Sequence, residues 1–242
     1  MMYHNNVSDI RIELIDQLIA KNFVTDKSGV KTVEIINACF IANEPTIFGE
    51  VNEDYVEREL KWYRSLSLSV NDIPGGPPAI WQQVADKNGM INSNYGWCVY
   101  SEANGNQYIK VLKELCESPL SRRAVMIYTR PSMHEDYNKN GMSDFMCTNT
   151  VQYYIRDGKL HASVYMRSND AIFGYKNDYA WQKYMQKEVL EGINGRCNTV
   201  YGLGDLYWNV SSLHVYERHF KLMEESILPL IMEESLDYNE EY

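Results

Sequence analysis

The spacing of apolar residues changes several times along the chain, and each change marks an element. Ile10, Leu14, Ile15, Leu18 and Ile19 recur at helical spacing, with Ser8 or Asp9 placed to cap the start. The polar stretch from Thr25 to Thr32 is a loop, and Val33 to Ala42 reads as a strand. Helices are predicted over Tyr55 to Leu66, which carries Glu59 near Trp62 and Tyr63, and over Tyr108 to Leu115, with Val111, Leu112 and Leu115 inward. Between them, Ile73-Pro-Gly-Gly-Pro-Pro78 is an internal turn ahead of Ile80-Trp81. Strands follow at Ala124 to Tyr128, Val151 to Ile155 and Leu160 to Met166, the last two joined by a turn at Asp157-Gly158. His134 to Ser143 is a surface loop. Asp170 to Leu190 passes from loop to helix, Leu206 to Val215 is a strand, and a final helix begins near Glu217 and fades past Pro229. There is no internal repeat and no regular βαβ alternation. The pattern predicts one α+β domain over residues 1–242, with about 230–242 a frayed acidic tail.

Composition narrows the function classes. Hydrophobic residues make up 45% and charged residues 23% of the 242, as in a soluble globular protein with ample length for a core. No apolar run reaches membrane-spanning length, and Met1-Met-Tyr-His-Asn-Asn has no basic region leading into an apolar core, so neither a transmembrane helix nor a secretion signal is expected. A net charge of -10 argues against general affinity for nucleic acid. It leaves anionic small molecules open, because a local basic pocket can outweigh the global field. The cysteines are Cys39, Cys98, Cys116, Cys147 and Cys197. An odd count without close pairing predicts reduced thiols in a cytoplasm, with no disulfide frame and no metal site.

One stretch carries the candidate chemistry. In Asp144-Phe-Met-Cys147-Thr-Asn-Thr-Val-Gln152-Tyr-Tyr-Ile-Arg156, Cys147 stands where polar residues give way to a β-rich run. Its side chain is placed to project from a sheet edge into a cleft. Gln152 follows, and Arg167-Ser168-Asn169-Asp170 comes after the next strand. Elsewhere, Asn94-Tyr95-Gly96-Trp97 offers flat aromatic surface, either core or a stacking wall for a fused ring. Arg122 and Arg123 open a strand, where adjacent side chains point to opposite faces, so both seldom serve one pocket. Glu59 among aromatics is either exposed or a buried acid of raised pKa.

Together these motifs resemble the thymidylate synthase superfamily, and most of all the deoxycytidylate (dCMP) hydroxymethylases of T-even-type bacteriophages. The resemblance rests on Asp26-Lys27-Ser-Gly-Val-Lys-Thr32, Asn92-Ser-Asn-Tyr-Gly-Trp97, Ser121-Arg-Arg123, the Cys147 stretch, Met166-Arg-Ser-Asn-Asp170 and Asn177-Asp-Tyr-Ala-Trp-Gln-Lys-Tyr184. The chain departs from thymidylate synthases proper at Met146-Cys147-Thr148, where they have Pro-Cys-His. It also has Lys27 in place of an arginine in the phosphate loop, and an acidic end where they have an apolar one.

The resemblance implies the thymidylate synthase fold, a large mixed β-sheet with packed helices, paired sheet to sheet in a homodimer. It implies transfer of a one-carbon unit from 5,10-methylenetetrahydrofolate, a co-substrate, to carbon 5 of dCMP. Water addition then gives 5-hydroxymethyl-dCMP for phage DNA. Carbon 5 of a pyrimidine is a poor nucleophile until a thiolate adds to carbon 6. Cys147 is the implied nucleophile, with Arg167 the cation that lowers its pKa. The phosphate falls to Lys27, Arg167, Ser168 and the Arg122-Arg123 pair of a second subunit. Gln152 and Asn169 belong to the same substrate-binding set, and His214 and Tyr216 bind the sugar. Trp81, Trp97 and Asp170 face the folate, and Glu59 handles protons. Asp178 reads cytosine, although a one-residue gap would give that place to Asn177. Rival readings are methylation or hydroxymethylation of dUMP, and a catalytically idle nucleotide- or RNA-binding relative.

Overall fold

The computed structural model describes residues 6–226. Helix α1 (Val7–Ile19) buries Val7, Ile10, Leu14, Ile15 and Leu18, as the spacing predicted. Its cap is Asn6, two or three residues earlier than Ser8 or Asp9: the Asn6 side chain accepts from the Ser8 and Asp9 N–H groups, and the Asp9 carboxylate accepts from the Asn6 N–H. Strands β1 (Val24–Thr25) and β2 (Lys31–Ile41) follow, then α2 (Glu53–Ser65), α3 (Ala79–Val84), α4 (Tyr95–Tyr100) and α5 (Gln107–Glu117). Next come β3 (Val125–Ile127), the short α6 (Met133–Asp136) inside the expected surface loop, β4 (Thr148–Arg156), β5 (Lys159–Met166) and β6 (Asn169–Asp170). Helix α7 (Gly174–Cys197), β7 (Gly202–Tyr216) and α8 (Phe220–Glu225) complete the order. The predicted tail at about 230–242 lies outside the described residues. No helix among the described residues is long and apolar enough to cross a membrane.

The strands form one seven-stranded sheet in the order β1-β2-β7-β5-β4-β3, with β6 pairing β7 beside that path. Pairings are antiparallel except β5–β7 and β6–β7, which are parallel. Parallel neighbours need a crossover, and α7 supplies it. Its buried face, with Trp181, Met185, Val189 and Ile193, lies against the core, and Gln186 Nε2 donates to the Leu160 carbonyl of β5 at 3.0 Å. The inward strand positions Val151, Tyr153 and Ile155 alternate with Gln152 and Tyr154 on the other face. That other face leaves Ile36, Ile127, Tyr165 and Leu203 exposed.

Two expectations need correction. Cys147 does not project from a sheet edge: it precedes β4, which lies between β5 and the edge strand β3. Cys116 and Cys197, expected as separate thiols, form a disulfide with Cα atoms 5.7 Å apart. They lie 81 residues apart in sequence, and only the packing of α5 against α7 brings them together. Spacing along the chain carries no sign of that.

Gly96 fixes how α4 meets α2. A Cβ there would overlap the Tyr63 carbonyl, which is backbone and cannot swing aside. Gly96→Ala is therefore expected to cost roughly 1–3 kcal/mol or more through overpacking, visible as a drop in thermal midpoint. An unchanged midpoint would show that the helices separate freely.

Candidate active site

The polar loop before β2 is shaped by Asp26. Its Oδ1 accepts from the backbone N–H of Ser28 at 2.8 Å and of Val30 at 3.0 Å. That turn brings Lys27 to the wall of a cavity of about 480 Å³ between β7 and the start of α7. Cys147, Arg167, Ser168, Asn169, Asp170, Asp178, His214 and Tyr216 line the same cavity. Asn177 does not line it. His214 packs edge to face on Tyr216, and its Nδ1 lies 3.4 Å from the Ser212 carbonyl.

The approach to Cys147 is pinned from behind. Asp144 is buried and accepts from the backbone N–H of Asn92 at 2.7 Å, and from the Ser93 N–H at 2.8 Å and hydroxyl at 2.6 Å. Met146 and Thr148 are both fully buried and flank the cysteine. Arg167 Nε donates to the Met146 carbonyl at 2.9 Å, and its Nη2 donates to the Phe145 carbonyl at 2.6 Å. The same Nη2 lies 3.6 Å from Cys147 Sγ. This contact was expected to draw the thiol down. Burial outweighs it and pushes Cys147 up to about 11, with Arg167 pulling against burial and Asp178 and Asp144 adding to it. Burial thus favours the thiol form of Cys147, and the cation at its side only partly opposes it.

Asp178, near the start of α7, has a hydrogen-bond partner on each carboxyl oxygen. Its Oδ1 accepts from the Tyr95 hydroxyl at 2.9 Å and its Oδ2 from Asn169 Nδ2 at 2.8 Å. Asn169 Oδ1 in turn accepts from the Trp208 indole at 3.2 Å, and Thr148 Oγ1 donates to the Tyr95 oxygen at 3.0 Å. Even so, burial lifts Asp178 to about 7, with Glu59 and Asp170 adding to the lift and the Tyr95 and Asn169 bonds opposing it. Glu59 is itself buried on α2. It accepts from Tyr55 Oη at 2.5 Å and from the Trp81 indole at 3.1 Å, yet burial raises its pKa.

Some expected site residues lie elsewhere. Trp81 spends its N–H on Tyr55 and Glu59, and its ring meets Trp62 edge-on. Trp97 lies under the Arg130 guanidinium, 6.0 Å from its ring centre. Neither is on the cavity wall. Gln152 is on the sheet face away from the helices and donates to the Arg122 carbonyl at 2.9 Å. Alternation along β4 explains this, since the strand's core face is taken by Val151 and Tyr153. Arg123 pairs with Glu114 at 3.0 Å, and both Arg122 and Arg123 lie off this chain's cavity. Sequence reasoning passed over Tyr95, Thr148 and Trp208. Tyr95 stood in a quoted motif but was read only as aromatic surface.

One cavity thus brings together a thiol, an arginine and a buried acid on a sheet of this topology. The chain belongs to the thymidylate synthase family, whose model matches residues 46–231. Within that family it is similar to the deoxycytidylate 5-hydroxymethyltransferases of enterobacteria phages T4 and T2, at 59% identity to each. The match spans 90% of this chain and 89% of theirs. Thymidylate synthase 1 of Bacillus subtilis strain 168 is 30% identical over 67% of this chain and 57% of its own. The solved thermostable thymidylate synthase A from Bacillus subtilis shares the fold, with a TM-score of 0.67 and 24% identity over 90% of this chain and 84% of that one.

The raised Asp178 has a consequence for stability. Its folded pKa, about 7, lies above the ordinary 3.8, so the folded protein holds a proton the unfolded chain has released. Stability is therefore full at low pH and is lost as pH rises from about 4 through 7, by up to about 4 kcal/mol. Asp178→Asn removes the ionisation while keeping an acceptor for Asn169. The variant's thermal midpoint is expected to gain on the parent between pH 5 and pH 8. A difference that does not change with pH would show that Asp178 stays ionised throughout.

Proposed function

We propose that the protein transfers a one-carbon unit from 5,10-methylenetetrahydrofolate to carbon 5 of dCMP and then adds water, giving 5-hydroxymethyl-dCMP and tetrahydrofolate. The observation that carries this reading is the buried acid Asp178 on the wall it shares with Cys147 and Arg167. Cytosine presents an exocyclic amino donor beside ring nitrogen 3, an acceptor. A carboxyl that holds its proton near neutrality meets both, accepting from the amino group and donating to the nitrogen. Uracil puts an oxygen and an N–H there, which mismatches an acid whose proton is held on the oxygen facing ring nitrogen 3, and its oxygen repels the ionised acid. Such a buried mismatch costs roughly 1–3 kcal/mol, more when charged.

The same proton explains how a reluctant thiol can react. Sharing it with ring nitrogen 3 draws electrons from carbon 6 of the base. Cys147 then adds to the activated carbon 6 as its own proton passes to water in the cavity, and carbon 5 becomes the nucleophile. Lys27, Arg167 and Ser168 line the wall where a 5′-phosphate binds through charge-assisted bonds. Arg167 therefore steers both sulfur and phosphate. The folate brings carbon at the formaldehyde level. Asp170 lies on the cavity wall with Oδ1 committed to the Ile172 N–H at 2.9 Å. Glu59, close enough to raise Asp178, is the acid that organises water for the last step.

Arg122 and Arg123 lie off the cavity, and the open face of the sheet exposes Ile36, Ile127 and Tyr165. Both features support a homodimer, paired through this face, in which one subunit's arginines serve the other's phosphate. A cytoplasmic setting accords with nucleotide substrates.

Product analysis tests the reaction. Cys147→Ala is expected to lower turnover of dCMP by several orders of magnitude while dCMP still binds, and near-normal turnover would remove the covalent route. Asp178→Asn is expected to lose dCMP turnover and gain activity on dUMP. A ratio of kcat/KM values that does not move toward dUMP would take base reading away from this residue. Mixed dimers of inactive Cys147→Ala and inactive Arg123→Ala chains are expected to regain activity, since one site in each hybrid holds both groups. Proven subunit exchange without recovered activity would rule out the shared site.

A further inference from the structure

Thr148 presents a question that the strand alone does not answer. It is fully buried between the cysteine and the interior of β4, a place where valine would pack as well. A buried hydroxyl costs free energy unless it is bonded. Its bond runs to Tyr95 at 3.0 Å, and Tyr95 runs on to Asp178 Oδ1 at 2.9 Å. On the other side of the acid the arrangement is rigid. The Trp208 indole can only donate, so it holds Asn169 with its oxygen toward the indole and its amide N–H₂ toward Asp178 Oδ2. Oδ2 therefore faces a fixed donor, while Oδ1 faces the Tyr95 hydroxyl, which can turn.

From this asymmetry we infer that Thr148 is a positioning residue for the base-reading acid. Through Tyr95 it governs how readily Asp178 takes up and releases a proton on Oδ1, while Trp208 and Asn169 reserve Oδ2 as an acceptor. The inference rests on the reading of Asp178 given above. When Asp178 is ionised, Thr148 donates to Tyr95 and Tyr95 donates to Oδ1. When a proton arrives on Oδ1, Tyr95 can turn its hydrogen toward the Thr148 oxygen as the Thr148 hydrogen rotates off the Tyr95 oxygen, and both hydroxyl hydrogens stay on their own oxygens. One proton is gained and no heavy atom moves. The remaining groups that act on the acid are Glu59 on α2 and Asp170 on β6, which both oppose its ionisation, and Cys147, Tyr63 and Tyr128, which stay neutral near pH 7. None of these makes a hydrogen bond to it. The hydroxyl chain is thus the adjustable support of the ionised form.

The test is a direct titration of the free protein carrying carboxyl-labelled aspartate, read by carbon NMR, with the Asp178 signal assigned by its loss in Asp178→Asn. Thr148→Val removes the donor and keeps the shape. It is expected to raise the Asp178 pKa by about half a unit to one unit, and Thr148→Ser is expected to restore the parent value. Tyr95→Phe, which removes the link itself, is expected to raise it by about one unit or more. The high-pH limb of kcat/KM for dCMP should move up by the same amount in Thr148→Val. A Thr148→Val titration equal to the parent's overturns the inference, and so does a Thr148→Ser titration equal to that of Thr148→Val. Should Thr148→Val not fold, Tyr95→Phe decides alone, and a parental titration there overturns the inference too. The NMR readout does not depend on substrate, so absence of dCMP turnover in the parent would sink the proposed reaction and leave the titration result standing.

Discussion

A carboxyl group buried at the end of a cavity, with a donor bonded to each oxygen, is the constraint on which the rest of this structure depends. Asp178 is contacted from α4 by Tyr95 and from β6 by Asn169, while Thr148 at the start of β4 and Trp208 on β7 hold those two partners in place. Four elements, three of them distant from Asp178 in sequence, must therefore arrive together before the acid is satisfied. Burial still wins over those bonds and raises the group's pKa to about 7. Under the proposed function, a cytosine ring is the ligand that can use that proton.

The sheet and its helices serve that arrangement through two devices. The parallel β5–β7 pairing obliges the chain to cross over, and the crossover helix brings Asp178 to the same cavity as Cys147. The contact of Gly96 with the Tyr63 carbonyl locks α4 against α2, so Tyr95 and Glu59 keep a fixed relation. Arg167 plays a similar part on the other wall. Two of its nitrogens are held by carbonyls just before Cys147, so the cation and the sulfur move as one unit.

Much of this was legible in the sequence, and the limits have physical causes. Apolar periodicity located α1, α2, α5, β4, β5 and β7, because each buries a run of apolar side chains at recognisable spacing. The motif around Cys147 and the Arg167–Asp170 run pointed to residues that do share a cavity. What the sequence could not show was balance and direction. It gave the neighbour of Cys147 but not the burial that outweighs it. Gln152 is near Cys147 along the chain, yet strand alternation turns it to the opposite face. Trp81 and Trp97 are aromatic in any setting, and only the fold reveals that one serves Glu59 and the other lies beneath Arg130. The Cys116–Cys197 bond depends on helix packing that no spacing rule describes.

The last long strand, β7, lies in the middle of the sheet, between β2 from near the beginning of the chain and β5. Its register pairs Thr32 with Tyr216 and Val33 with Val215, among the most distant contacts the described chain can make. Such pairings pay the full entropy of closing a loop before they are rewarded, which makes them slow to form. On the ribosome, β2 must wait with an unpaired edge until β7 has been synthesised. The wall that carries His214 and Tyr216 opposite Lys27 then appears in one late event. A chain interrupted before β7 thus has its thiol and its acid but no chamber to use them in, and competence comes all at once with the insertion of that strand.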